Sequence, residues 1–137
     1  QAETKMAVNF TGNWKHVESE NFEEYLSAMG VNFAMRKIAA KTSPVNEIEQ
    51  DGDSFKIKTI SAKTKEVSFK IGEEFEDEMP MGKVKVKATW DGSKLHFDID
   101  SPKGKLVTER EIRADGRMYL VMKAADGTTC TRIFAKQ

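Results

Sequence analysis

The sequence predicts an all-β fold: a ten-stranded antiparallel up-and-down barrel with a helix-turn-helix inserted after the first strand. Three observations lead there. Turn signals recur at intervals of roughly ten residues, at Asp51-Gly52, Gly72, Gly82, Asp91-Gly92, Gly104, Asp115-Gly116 and Asp126-Gly127. The stretches between them alternate apolar and polar side chains, the period of a strand with one buried face. Only one window, residues 19–41, carries a helical period instead.

Taken in order, a first strand is expected around residues 10–17. Phe22, Tyr25, Leu26 and Met29 then stand at i, i+3, i+4 and i+7, one face of a helix. Asn21 can cap it, with Glu24 at the capping-box position. Gly30 stops that helix, and Asn32 can cap a second whose apolar stripe is Val31, Ala34, Met35 and Ile38. Pro44 closes the segment. About nine strands follow, among them Ser54-Phe55-Lys56-Ile57-Lys58, Lys83-Val84-Lys85-Val86-Lys87 and Leu95-His96-Phe97-Asp98-Ile99. Asp-Gly suits the hairpin tips because glycine takes positive φ without steric cost. Closing such a meander into a barrel removes its exposed edges. Eight strands roughly fill their interior, so ten leave room for a ligand, and the helical pair is available to cover one open end.

A single domain is expected over residues 7–137, with residues 1–6 set aside as a tail. Lysine plus arginine and aspartate plus glutamate both number 22, so no overall field favours nucleic acid. One cysteine allows no internal disulfide, which fits a reducing compartment. No apolar run reaches the ~20 residues of a membrane span, and the first residues hold no signal-peptide core. The expectation is therefore a cytoplasmic monomer, with secretion disfavoured. His16 and His96 lack metal-ligand spacing, and Cys130 has no evident partner base. Glu73-Glu74 and Glu76 to Glu78 form an acidic surface stretch, and no glycine-rich phosphate loop occurs. No enzyme, metal or cofactor is expected.

The last strand carries the sharpest functional signal. In Thr129-Cys130-Thr131-Arg132-Ile133-Phe134-Ala135, Cys130, Arg132 and Phe134 share one face. A buried guanidinium needs a counter-charge. The conflict dissolves if the face lines a cavity and a ligand brings the charge. Leu120 and Met122 alternate on the preceding strand as cavity-wall residues.

Phe10-Thr11-Gly12-Asn13-Trp14-Lys15 followed by Glu20-Asn21-Phe22-Glu23-Glu24-Tyr25-Leu26 resembles the opening signature of the intracellular lipid-binding proteins. That family comprises the fatty-acid-binding and cellular retinoid-binding proteins. The resemblance continues through Gly30-Val31, Met35-Arg36-Lys37-Ile38-Ala39 and Gly72-Glu73-Glu74-Phe75-Glu76-Asp77-Glu78, and ends with Cys130-Thr131-Arg132-Ile133-Phe134. It spans residues 8–137 in order. It implies a lipocalin-like (calycin) barrel of ten strands under a two-helix lid. His16 departs from the signature, which usually has an apolar residue there.

In acid-binding members of the family, two arginines and a tyrosine hold the ligand carboxylate, the last two spaced Arg-x-Tyr. The resemblance therefore assigns Arg132 and Phe134 to the head-group site, with the hydroxyl missing. The partner arginine matches Arg110 in Thr108-Glu109-Arg110-Glu111-Ile112, an alignment that needs one extra residue before the Asp115-Gly116 turn, with Arg113 as its competitor. The portal falls on Phe22, Met35, Ala39 and Ala62 or Lys63. Arg36 and Lys37 match two members of a basic trio that serves relatives as a nuclear-import signal, whereas the third position falls on the uncharged Ser27. The resemblance thus implies a carrier for a long-chain fatty acid or similar lipophilic acid. Its partners would be membrane surfaces, an import receptor or a nuclear receptor. A retinoic-acid carrier is the alternative. Membrane stacking, the role of one relative, calls for a strongly basic chain, which the zero net charge opposes.

Overall fold

The computed structural model describes residues 8–137, so the tail read over residues 1–6 lies outside the described residues. Ten strands form one antiparallel sheet: β1 (Gly12–Glu20), β2 (Val45–Asp51), β3 (Ser54–Ile60), β4 (Lys65–Lys70), β5 (Glu74–Met79), β6 (Gly82–Asp91), β7 (Lys94–Ser101), β8 (Gly104–Ile112), β9 (Met118–Lys123) and β10 (Thr129–Lys136). Two helices, α1 (Phe22–Ala28) and α2 (Phe33–Ala40), follow β1 as predicted. Every strand pairs with its sequence neighbours except β4 with β5, and β1 also pairs with β10. Strand alternation drives the burial. On β6 the side chains of Val84, Val86 and Ala88 are buried while those of Lys83, Lys85 and Lys87 are exposed. Phe10 and Trp14 plug the barrel end away from the helices, with the Trp14 indole N–H donating to the Phe10 carbonyl at 2.9 Å.

Hydrogen-bonded closure is incomplete, because β4 and β5 are the two ends of the sheet order. Their link is drawn elsewhere: the Ile71 N–H donates to the Asp53 carbonyl and the Gly72 N–H to the Ala88 carbonyl. Side chains span the gap instead. Phe69 on β4 stacks on Phe75 of β5 at 4.8 Å between ring centroids. Lys65 reaches the Glu78 carbonyl at 2.7 Å and the Asp77 carboxylate at 2.9 Å.

The helix-turn-helix departs from expectation in two ways. Asn21 does not cap α1 through its side chain, and its backbone is left-handed at φ 61°. That conformation, which asparagine tolerates, turns the amide away to donate to the Thr129 carbonyl at 2.9 Å. Asn32 does cap α2, accepting from the Met35 N–H at 2.9 Å. The stripe predicted for α2 is nevertheless unburied, with Met35 52% and Ile38 56% exposed. This helix rests on α1 and borders an opening, so no strand lies beneath its apolar side.

Phe69 also stacks on Phe55 at 5.2 Å and meets Phe97 edge-on at 5.2 Å, so it is the hinge of the aromatic seam across the gap. Phe69→Ala should lower unfolding free energy by about 3–5 kcal/mol. Lys65→Ala, which removes an exposed ion pair, should cost less than about 1 kcal/mol. Urea unfolding of both variants checks this, and equal costs would mean that the salt bridge rather than the ring stack closes the barrel.

Candidate ligand cavity

The sheet register lines up a row across five strands. Leu95 on β7 stands opposite Arg110 on β8, Arg110 opposite Leu120 on β9, Leu120 opposite Arg132 on β10, and Arg132 opposite Ser19 on β1. Both arginines therefore share the inward face with buried leucines. Ser19 reaches its place because a bulge at Val17 shifts the β1 register between His16 and Glu18.

Arg132 is only 9% exposed. Its Nε donates to the Ser19 hydroxyl at 3.0 Å, and its Nη2 lies 3.5 Å from the Thr42 carbonyl. The Phe22 ring lies 3.9 Å from the guanidinium carbon, a cation–π contact. Arg110 reaches across the barrel to β2, with Nη2 3.5 Å from the Asn46 Oδ1. Its Nε is buried without a hydrogen-bond partner. Among the described residues no carboxylate lies within ion-pair distance of either guanidinium. Burial lowers both pKa values to about 10, so both arginines stay charged at neutral pH.

These groups surround an inner cavity of about 200 Å³, walled by Leu120, Met122, Phe134, Tyr25, Asn46 and Thr59 besides the arginines. An outer space of about 290 Å³ adjoins it, bordered by Phe22, Met35, Ile38, Ala39, Ala62, Lys63 and Arg132. The two share Phe22, Pro44, Thr59 and Arg132 and so form one path from the lid to the interior. Together they reach the lower range of small-molecule sites, roughly 300–1,000 Å³.

All ten residues named from the sequence as head-group, cavity or portal positions border one or both spaces. Arg113 borders neither: it is exposed, stacks on Tyr119 at 4.0 Å and pairs with Glu111 at 3.0 Å. Arg36 and Lys37 also lie outside. Arg36 donates to the Val31 carbonyl at 2.7 Å, and Lys37 pairs with Glu23 at 2.8 Å. Sequence reasoning missed Asn46, Thr59, Ser19 and Tyr25. Asn46 and Thr59 had a legible signal, alternating with the buried Ile48 on β2 and Ile57 on β3, and Tyr25 shares the apolar helix face of Phe22. Cys130 is no nucleophile here, because burial pushes its thiol up to about 11.

A ten-stranded barrel under a helical lid, with an apolar cavity holding two guanidiniums that make no contact ion pair among the described residues, is built as an enclosing binder of lipophilic molecules. Comparison with known proteins agrees. Residues 11–134 match the lipocalin / cytosolic fatty-acid binding protein family. Cellular retinoic acid-binding protein 2 of the mouse (Mus musculus) is 44% identical, over 94% of this chain and 99% of that protein. Sodium/calcium exchanger regulatory protein 1 of Doryteuthis pealeii is 39% identical, over 96% of this chain and 98% of that protein. The solved structure of the REP1-NXSQ fatty acid transporter superposes with a TM-score of 0.86 at 37% identity, covering 93% of this chain and 95% of that one. The chain belongs to the lipocalin / cytosolic fatty-acid binding protein family.

A buried cation without a counter-charge destabilises the ligand-free protein. Arg132→Leu should therefore raise the ligand-free unfolding free energy by about 1 kcal/mol or more. Thermal and urea denaturation of delipidated protein check it, and an unchanged or lower midpoint would show that Ser19, Thr42 and water already compensate the charge.

Proposed function

We propose that this protein is a non-enzymatic carrier that encloses one long-chain fatty acid or similar lipophilic carboxylic acid and releases it at membranes or protein partners. One observation carries the reading: two charged, buried arginines share one cavity-facing row and lack acidic partners among the described residues. A carboxylate supplies the missing charge through short, charge-assisted hydrogen bonds. Arginine suits this role because it keeps its proton when desolvated. The tail lies along Leu120, Met122, Phe22 and Met35 toward the lid. Each buried methylene contributes roughly 0.8 kcal/mol, and ordering the chain offsets part of it. Retinoic acid is the second reading, supported by the 44% identity to a retinoic acid-binding relative. Both ligands present the same head group to the same arginines.

The carrier acts as a cytoplasmic monomer, and its lid is the part that loosens for exchange. In support, α2 buries none of its residues and leaves Phe33, Met35 and Ile38 more than half exposed. Elements with few buried contacts open most readily. Arg36 and Lys37 give this apolar edge a positive flank suited to an anionic membrane, and both lie within 6 Å of the Phe33 ring, at 5.6 and 5.2 Å. The same pair is the candidate import signal. Its internal contacts with Val31 and Glu23 leave less charge free for a receptor.

Arg132→Gln and Arg110→Gln should each weaken palmitic or retinoic acid binding about ten- to hundredfold while weakening the corresponding alcohols far less. Arg113→Gln should change neither. Calorimetric titration checks this, and equal losses for acid and alcohol would sink the carboxylate assignment. Native mass spectrometry of gently purified protein should reveal a co-purified lipophilic acid. For the lid, Arg36→Glu with Lys37→Glu should slow ligand transfer to anionic vesicles several-fold, with neutral vesicles and equilibrium affinity little changed. Equal transfer rates before and after reversal would reduce the pair to a solvated helix face.

A further inference from the structure

His16 and Phe134 are cross-strand partners on β1 and β10, their rings meeting edge-on at 5.7 Å. Phe134 borders the inner cavity but carries no hydrogen-bonding group, whereas its neighbour does. The His16 Nε2 lies 2.6 Å from the Ser19 hydroxyl, and that hydroxyl accepts from the Arg132 Nε at 3.0 Å. The bulge at Val17 makes this contact, since it brings residues 16 and 19 of one strand onto the same polar cluster. On the other side of the ring, Nδ1 lies 3.4 Å from the Ser43 hydroxyl, while the His16 backbone N–H donates to the Pro44 carbonyl at 2.9 Å. A continuous hydrogen-bonded path therefore runs from His16 through Ser19 to the guanidinium at the cavity.

We propose that His16 is a positioning residue of the head-group site: through Ser19 it orients the Arg132 guanidinium, and it takes up a proton when an acidic ligand neutralises that guanidinium. The inference rests on the acid-carrier reading above. The hydrogen bonds account for the coupling. Neutral His16 holds its proton on Nδ1 toward Ser43, and its Nε2 accepts the Ser19 O–H. The Ser19 oxygen is then free to accept from Arg132. When a proton from solvent adds to Nε2, that nitrogen becomes a donor to Ser19. The hydroxyl hydrogen must turn to another acceptor, and a carboxylate held by Arg132 provides one.

The surrounding charges point the same way. Arg132 on β10 and Lys15 on β1 are the cations acting on His16, and Glu18 opposes them through its backbone. The segment before β2 meets the ring with Ser43, which is uncharged, and holds the His16 backbone through the Pro44 carbonyl. Burial first, and Arg132 second, hold His16 below its ordinary pKa in the free protein. A bound carboxylate cancels the second influence and raises the His16 pKa in the complex. Acid affinity therefore rises as pH falls through the interval between the complex and free-protein values. One unit of difference corresponds to about tenfold in affinity.

The test is proton NMR titration of the two histidine rings in the full chain, free and saturated with palmitic or all-trans-retinoic acid, or with the corresponding alcohol. His96 is the internal reference: burial acts to lower it, but hydrogen bonds to Glu109 and Asp98 hold it above its ordinary pKa, away from Arg132. The acids should move His16 upward, the alcohols should not, and His96 should stay. Ser19→Ala should abolish most of the shift. In calorimetry between pH 7.5 and 5.5, the affinity ratio of wild type to His16→Gln should rise several-fold on acidification, the ligand's own ionisation cancelling in the ratio. Bound acid with an unmoved His16, or equal shifts with acid and alcohol, overturns the inference alone. Failure of both acids to bind overturns the carrier reading and this inference with it.

Discussion

The desolvated charge of Arg132 is the constraint around which the upper half of the molecule is arranged. The side chain starts on β10, bonds to Ser19 on β1, lies over Phe22 of α1 and reaches the Thr42 carbonyl between α2 and β2. One side chain thus touches the closing strand pair, the lid and the segment leading into the second strand. A neutral residue of the same size could pack there, but it could not satisfy both a hydroxyl and a carbonyl. The cost is a desolvated charge, seen in the burial-lowered pKa that Arg132 and Arg110 share. Under the proposed function, an anionic head group would resolve that cost and so couple binding to stability at this residue.

The opposite end of the barrel answers to a different constraint. It is closed by side-chain volume, through Phe10, Trp14 and the stacked rings of Phe55, Phe69 and Trp90. The gap between β4 and β5 is likewise filled by rings rather than by a backbone ladder. Apolar packing of this kind is indifferent to the ligand. The molecule therefore has an end filled by aromatic rings and an end lined by polar groups under the helices, and the cavity opens toward the latter. The exposed apolar stripe of α2 belongs to the same polarity. A helix sealed onto a strand would block the path between the outer and inner spaces, and here it rests on α1 instead.

Strand count, the position of the helical pair and the inward facing of Arg132 were legible in the chain itself. They depend on local period and on turn chemistry, which neighbouring residues specify. The cap of α2 by Asn32 was legible for the same reason. The resemblance favoured Arg110 over Arg113, but a slip of one position reverses every side chain of a strand. The pairing of Arg110 with Leu95 and Leu120 is what sets it on the inward face.

Other features required the assembled barrel. Asn46 meets Arg110 across 64 residues, and Ser19 meets Arg132 across 113. No local pattern encodes either contact. The bulge at Val17 moved Ser19 onto the polar cluster beside His16, and the amide of Asn21 left its helix for the Thr129 carbonyl, 108 residues away. Between β4 and β5 the connecting Ile71 and Gly72 bond to Asp53 and Ala88, partners outside both strands that no local pattern names. Period and turn chemistry are properties of adjacent residues, so the sequence by itself determined the elements and which face of each is apolar. Cross-barrel contacts depend on closure, and closure alone decided which polar groups meet inside.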